Sequence, residues 1–105
     1  MYDEKVMPKA VDRLVVALCA DYFRRKRLIE RRGAPYTVIM ECRYLNYRIF
    51  DAAFQIVGGN AEPFIRDIGE GVGYASSSIT GLSESTYKKR KGEVKRSIAK
   101  RLSLF

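Results

Sequence analysis

Histidine is absent from the 105-residue chain, and only two cysteines are present, Cys19 and Cys42. The commonest metal ligand and the commonest general base are therefore both missing. Two cysteines are too few for a disulfide framework or a zinc site, although one disulfide between them remains an alternative to two reduced thiols. No constellation of paired carboxylates is apparent in the sequence. We expect a protein that is not an enzyme and that holds neither a metal nor a cofactor.

Long hydrophobic runs are also absent. The longest apolar run, LVVALCA (Leu14–Ala20), is far too short to cross a bilayer. The first residues, MYDEKVMPKA, are acidic before they are apolar and lack the basic start of a signal peptide. We therefore expect a cytoplasmic, reduced protein with no membrane partner.

The chain has enough apolar residues to fold and an uneven distribution of charge. Apolar residues make up 47% of the sequence, which predicts one small folded domain over residues 1–105. The net charge is +8; residues 83–105 hold eight basic and two acidic residues, a balance of +6, which leaves +2 for residues 1–82. An excess this localised favours one anion-binding surface over a general solubility device.

Two long periodic segments fill the first half of the chain. The first is predicted as a helix from about Pro8 to Arg32, and the second as a helix over Thr37–Val57 with Thr37 as its cap. Gly33-Ala34-Pro35 separates them, so they should form an antiparallel hairpin over residues 1–58. Leu14–Ala20 is apolar around most of the helix, which indicates burial on several sides or contact with a second copy. We therefore expect this hairpin to support the fold and to make a homodimer.

The apolar positions assigned to the inner faces of these two helices recur at helical spacing. They are Val11, Leu14, Val15, Leu18, Tyr22 and Ile29 on the first helix, and Val38, Cys42, Leu45, Ile49, Ala53 and Ile56 on the second. The aromatic residues of the second helix, Tyr44, Tyr47, Phe50 and Phe54, are interpreted as core or dimer contacts rather than as a base-stacking platform.

The second half of the chain predicts two further helices. A short helix begins after Asn60 and fades near Val72. Residues 73–82 are either a loop or a short irregular helix, and the sequence leaves this open. A longer helix begins at Ser83, whose hydroxyl is placed to accept a hydrogen bond from the backbone of Ser85 or Thr86. Its predicted inner face carries Tyr87, Val94, Ile98 and Leu102. The prediction is an all-α fold of about four helices.

The outer face of the last helix is the candidate nucleic-acid-binding site. Its candidate residues are Ser83, Glu84, Ser85, Thr86, Lys88, Lys89, Arg90, Lys95, Arg96 and Lys100. Short polar side chains near the amino end are suited to base edges, and the later cations are suited to phosphates. A lysine-rich solvated face is the alternative. The run Lys88–Lys91 has few acidic neighbours, which favours an external anion.

The stretch GLSESTYKKRKGEVKRSIAKRLSL resembles the second half of a helix-turn-helix of the sigma-factor region 4 type. It is similar in particular to small prophage-encoded regulators of the ArpU/RinA type. Gly81-Leu82-Ser83 matches the turn and cap, and Ser85-Thr86-Tyr87 matches the first recognition turn. The resemblance implies a helix-turn-helix-like unit over residues 60–105, double-stranded DNA as the partner, and RNA polymerase as a further candidate partner.

The predicted function is sequence-specific binding of double-stranded DNA in transcriptional control of phage or prophage genes. Two alternatives remain open: a phage assembly, packaging or adaptor module that binds an acidic protein, and a non-specific RNA-binding protein. A second basic cluster, RRKRLIERR (Arg24–Arg32), is interpreted first as a solvated helix end that complements the helix dipole. Its functional interpretation is a grip on phosphates that flank the site.

Overall fold

The computed structural model describes residues 6–105, and within this range every regular element is helical. The elements are α1 (Lys9–Ala20), α2 (Tyr22–Glu30), α3 (Tyr36–Val57), α4 (Ala61–Glu70) and α5 (Glu84–Arg101), with 3₁₀ turns at Gly58–Asn60 and Tyr74–Ser76. The predicted all-α class is confirmed for the described part of the chain. Residues 1–5, which contain the acidic start used to argue against a signal peptide, lie outside the described residues.

Proline and glycine set most of the helix boundaries. Pro8 and Pro35, both in an extended conformation, directly precede α1 and α3. The predicted Thr37 cap is therefore wrong, because α3 already includes Thr37. Gly71 ends α4 in the left-handed region, with φ of 69° and ψ of 27°, which glycine adopts without a Cβ clash.

The first predicted helix is divided in the structure. It breaks at Asp21 into α1 and α2, which makes five α-helices among residues 6–105 rather than about four. The cause lies in Arg25, a buried residue whose guanidinium donates to the Leu18 carbonyl oxygen at 2.6 Å and to Asn46 Oδ1 at 2.6 Å. A side chain that takes a helix carbonyl is a recognised cause of a kink. Because of the break, only α2 forms the hairpin with α3.

The kink lets α1 leave the hairpin and pack against α4 and α5. The crossing of α1 and α4 is very close at Gly69, where a Cβ would lie 2.6 Å from the backbone nitrogen of Ala20. Val15 and Cys19 of α1 are fully buried there. Burial raises the pKa of the Cys19 thiol to about 12, so this residue is an inert core group.

Helix α5 lies antiparallel to α3 and closes the core. Ser97 Oγ donates to the Ala52 carbonyl oxygen at 2.8 Å, and the Arg101 guanidinium pairs with the Asp51 carboxylate. At the other end, Arg90 of α5 borders the same depression as Ile56 at the carboxyl end of α3. The amino end of α5 is therefore beside the carboxyl end of α3.

The predicted inner faces are largely confirmed. Tyr87, Val94 and Ile98 of α5 and Ile49 and Ala53 of α3 are buried. Leu14 is the exception, because half of it is exposed. Among residues 6–105, no helix is both long enough and apolar enough to pass through a membrane.

Candidate nucleic-acid interface

The amino end of α5 has a well-formed cap. Ser83 adopts an extended conformation, and its Oγ accepts a hydrogen bond from the Thr86 backbone N–H at 3.2 Å, as predicted. The Ser83 hydroxyl also donates to Thr86 Oγ1 at 2.9 Å. The first turn of α5 therefore begins at a defined residue, and Ser85, which follows the cap, remains exposed.

Tyr87 fixes this end of α5 in the core. Its ring stacks on Phe64 of α4 with centroids 5.5 Å apart, and its hydroxyl donates to Asp67 Oδ2 at 2.8 Å. Burial, with the hydrogen bond to Asp67, raises the pKa of the Tyr87 hydroxyl to about 12, so it stays a donor at neutral pH. Because Ser85 and Lys89 are two positions away on either side, they lie on the opposite face of the helix and point outward.

The connection between α4 and α5 spans residues 71–83 and is a loop with one 3₁₀ turn, which answers the question left open by the sequence. Ser77 Oγ donates to the buried Asp67 carboxylate, and Tyr74 Oη donates to the Leu82 carbonyl oxygen at 2.9 Å. Lys91 Nζ donates to the Val72 carbonyl oxygen at 2.6 Å. The connection is much longer than the roughly 3–4-residue turn of a compact helix-turn-helix, but side chains of α4 and α5 hold it at both ends.

The run Lys88–Lys91 has more partners than the sequence indicated. Lys88 pairs with Glu84 at 3.2 Å and Arg90 pairs with Glu93 at 3.0 Å, while Lys91 is bound to the loop. Burial is the main cause of a lowered pKa at Lys91, with the Lys95 charge adding to it. The inference that this run has few acidic partners is therefore wrong. Within this run, Lys89 alone is exposed and has no polar partner among residues 6–105.

The later cations of α5 also differ from one another. Lys95 Nζ lies 3.1 Å from Asp12 Oδ1 of α1, and its side chain is only 23% exposed. The prediction that Lys95 is available to a phosphate is therefore wrong. Arg96 is half-buried, whereas Lys100 is exposed and follows Lys89 by three helical turns on the same face.

The predicted site residues thus fall into two groups. Exposed at or near the amino end of α5 are Ser83, Glu84, Ser85, Lys88 and Lys89. Four others are half-buried or contact other parts of the fold: Thr86, Arg90, Lys95 and Arg96. Lys100 is exposed near the carboxyl end of α5, away from the other candidates. The structure therefore brings together a compact polar and basic surface, which we call the α5 tip and define as Ser83–Ser85 with Lys88 and Lys89.

The second basic cluster is divided between structural and exposed arginines. Arg25 is buried, Arg24 pairs with Asp21, and Lys26 pairs with Glu62 at 2.7 Å. Hydrogen bonds from Lys26 and Tyr22 outweigh the effect of burial and lower the pKa of Glu62. Exposed at the end of α2, without polar partners among the described residues, are Arg27, Arg31 and Arg32. This end lies beside the start of α3, at the opposite end of α3 from the α5 tip.

The aromatic residues of α3 are exposed, which excludes the interpretation that they belong to the core. Tyr44 and Tyr47 are 64% and 65% exposed, Phe54 is 50% exposed and Phe50 is 37% exposed. Tyr36 and Met40 extend this exposed surface toward the start of the helix. We call Tyr36, Met40, Tyr44, Tyr47, Phe50 and Phe54 the α3 stripe.

Sequence reasoning missed two acidic residues that organise the site, Asp67 and Asp12. Asp67 is 3% exposed and joins α4, the loop and α5, and Asp12 neutralises Lys95. The role of Asp67 could have been predicted from the sequence, because it is an acidic residue between the buried Phe64 and Ile68. The role of Asp12 could not have been, since its partner is more than eighty residues away in the sequence. Comparison of the chain with protein-family models, curated proteins and solved structures finds no match.

Proposed function

We propose that the protein binds double-stranded DNA in a sequence-specific manner, as a cytoplasmic regulator of phage or prophage transcription. In this proposal α4, the 71–83 connection and α5 act as a helix-turn-helix-like unit with a long turn. RNA polymerase is the further partner that the sequence resemblance implies.

The observation that carries this proposal is the two-sided geometry of α5. Tyr87 holds the helix in the core through Phe64 and Asp67, and the opposite face presents Ser85 and Lys89 to solvent. A helix fixed in this way keeps its orientation when its amino end enters a major groove. Serine and lysine side chains at this end have the donors and acceptors that read base edges.

The remaining basic side chains have a different role in this proposal. Lys100 lies about 16 Å along the helix from Lys89, too far to share its base contact, so it meets a backbone phosphate. Lys95 makes no such contact because Asp12 holds its ammonium group. The proposal thus separates two exposed lysines of one helix into a base reader and a phosphate contact.

A matched pair of variants tests this separation. Lys89→Ala and Ser85→Ala should change which sequence is preferred, by about 1–3 kcal/mol per base contact. Lys100→Ala should weaken binding equally for all duplexes and reduce the slope of log K against log salt by about 0.9. Each protein is measured by fluorescence anisotropy against a selected duplex, a scrambled duplex and a single-stranded RNA, across a salt series.

Two results would contradict the proposal. An equal, sequence-independent loss in both Lys89→Ala and Lys100→Ala would identify α5 as an electrostatic clamp, and tighter binding to the RNA than to either duplex would favour the non-specific RNA-binding alternative. If neither substitution changes binding, the α5 tip is a solvated face, and an acidic protein becomes the better candidate partner.

A further inference from the structure

The α3 stripe is an apolar surface on the outside of the molecule, interrupted by the exposed Arg43, which lies two turns after Tyr36 on the same line. Its first and last members, Tyr36 and Phe54, are eighteen residues apart, which is five helical turns, so the two side chains lie in line along the helix. The other members lie within about 80° of this line around the helix, and the buried Ile49 and Ala53 lie on the far side. Phe50 and Phe54 stack on each other with centroids 5.8 Å apart. Helix α3 therefore has two apolar faces, and the protein's own core covers only one of them.

The size of the stripe is that of an interface. With a full area of roughly 200 Å² for each large side chain, the exposed fractions of its six members leave roughly 600–700 Å² of apolar surface in solvent. This exceeds the largest apolar patch of a typical monomer, about 300–600 Å². With its polar flanks, the surface approaches the roughly 800 Å² that each partner contributes to a standard protein interface.

The charges around the stripe favour a protein over a nucleic acid. The charged side chains of α3 on or beside it are two acidic and two basic ones, Glu41, Asp51, Arg43 and Arg48, and Arg101 of α5 pairs with Asp51. A platform on which bases stack also needs a net positive groove for the phosphates. The charges on and beside the stripe nearly balance, with an excess of one positive charge, so its aromatic rings are poorly suited to a polyanion.

The pattern is also self-complementary about Leu45. Tyr36 and Phe54 lie nine residues before and after this position, and Met40 and Phe50 lie five residues before and after it. If two copies of α3 pack antiparallel about a two-fold axis at the level of Leu45, Tyr36 meets the Phe54 of the second copy, and Met40 and Phe50, about 80° apart around the helix, lie on either side of this contact. The stripe would then bury aromatic and apolar side chains against each other along about 27 Å of helix.

The flanks satisfy the same symmetry. Glu41 has no polar partner among residues 6–105, and Arg48, two turns later, lies on the same side of the helix. The Arg48 guanidinium donates to the Arg101 carbonyl oxygen and lies 5.3 Å from the Tyr44 ring centroid. A two-fold axis between antiparallel helices brings the same side of each helix together. Glu41 of one copy therefore lies beside Arg48 of the second copy. Arg43, which also lacks a polar partner among the described residues, faces the ring of the second Tyr47, the geometry of a cation–π contact.

We infer that two copies of this chain associate through the α3 stripe, with their α3 helices antiparallel and the two-fold axis near Leu45. This places the interface on α3, whereas the sequence had pointed to Leu14–Ala20 of α1 as well. The inference does not depend on DNA binding, and it is tested without nucleic acid.

Sedimentation of the full chain across about 1–100 µM tests the association, because interfaces of this size reach micromolar affinity or tighter. The wild type should sediment as two chains, and Phe54→Glu should weaken dimerisation by about tenfold or more, as expected for an aromatic interface residue. Leu14→Glu is the matched control, since Leu14 and Phe54 are both 50% exposed. It should leave the dimer intact. Circular dichroism melts check that both variants fold.

Cross-linking tests the antiparallel geometry. In a Cys42→Ser background, Tyr36→Cys and Phe54→Cys proteins are mixed and treated with a short bismaleimide. Cross-linked dimers should form in the mixture only, because the two copies of either thiol are about 27 Å apart across the axis.

Several outcomes would overturn the inference. They are a wild-type monomer throughout the series, a dimer that Leu14→Glu breaks and Phe54→Glu does not, and a Tyr36→Cys protein that cross-links to itself. A wild-type monomer whose Phe54→Glu variant loses affinity for single-stranded RNA would instead identify the stripe as a base-stacking platform.

Discussion

At the scale of single residues, the buried pair Tyr87 and Asp67 connects the core to the candidate interface. Asp67 Oδ2 accepts from both the Tyr87 hydroxyl and the Ser77 hydroxyl. Tyr87 packs its ring on Phe64 and lies in the first turn of α5. One side chain thus sets both the stability of the helix and the direction in which Ser85 points.

Two substitutions of Tyr87 separate its ring from its hydroxyl. Tyr87→Phe keeps the stacking on Phe64 but leaves Asp67 with Ser77 alone, and should lower the free energy of unfolding by about 1–3 kcal/mol. Tyr87→Ala also removes the ring and should cost about 3–5 kcal/mol. Urea denaturation measures both values. A Tyr87→Phe protein as stable as the wild type would mean that the bond to Asp67 contributes nothing.

At the scale of helices, the closest contact is the crossing of α1 and α4 at Gly69. A Cβ there would meet the backbone of Cys19 and Ala20 at 2.6–2.7 Å, and backbone atoms do not move aside easily. Gly69→Ala should therefore destabilise the fold by about 1–3 kcal/mol, the usual cost of overpacking. Gly92→Ala, inside α5 with open space around it, is the control and should stabilise by about 0.5–1 kcal/mol. Thermal melts compare the two; equal midpoints would show that α1 shifts without cost.

Helices also show how far the sequence alone could lead. Spacing was sufficient for α4 and α5, because each has one apolar face and a terminating glycine or loop, although only α5 has a side-chain cap. The spacing of apolar residues was insufficient for α3. Ile49 and Tyr47 belong to opposite apolar faces of this helix, and hydrophobicity does not show which face is buried. Spacing also did not predict the break between α1 and α2 at Asp21, since this break depends on Arg25 reaching Asn46 of α3. In the candidate site, the Ser83 cap was predictable because it is local, whereas the pairing of Lys95 with Asp12 joins two distant helices.

At the scale of the whole molecule, α3 sets the distance between the α5 tips. Arg90 of α5 lies beside Ile56, near the carboxyl end of α3, and Ser85 is five residues further toward the amino end of α5. In the inferred dimer, the axis near Leu45 is about 17 Å from Ile56 along the helix. The α5 tips extend beyond Ile56, so the two tips are more than roughly 34 Å apart along α3, which is about one turn of DNA or longer.

This spacing gives a prediction that rests on both the proposed function and the inferred dimer. DNA selected from random duplexes should contain inverted repeats at one fixed spacing, with centres about 10 base pairs or more apart. Inserting about 5 base pairs should weaken binding strongly, because half a turn places the second half-site on the far side of the duplex. Phe54→Glu should bind single half-sites and be indifferent to the insertion. If the wild type is a dimer but prefers an isolated half-site, the antiparallel spacing is wrong. If it is a dimer that binds all duplexes alike, sequence-specific reading by the α5 tip is what fails.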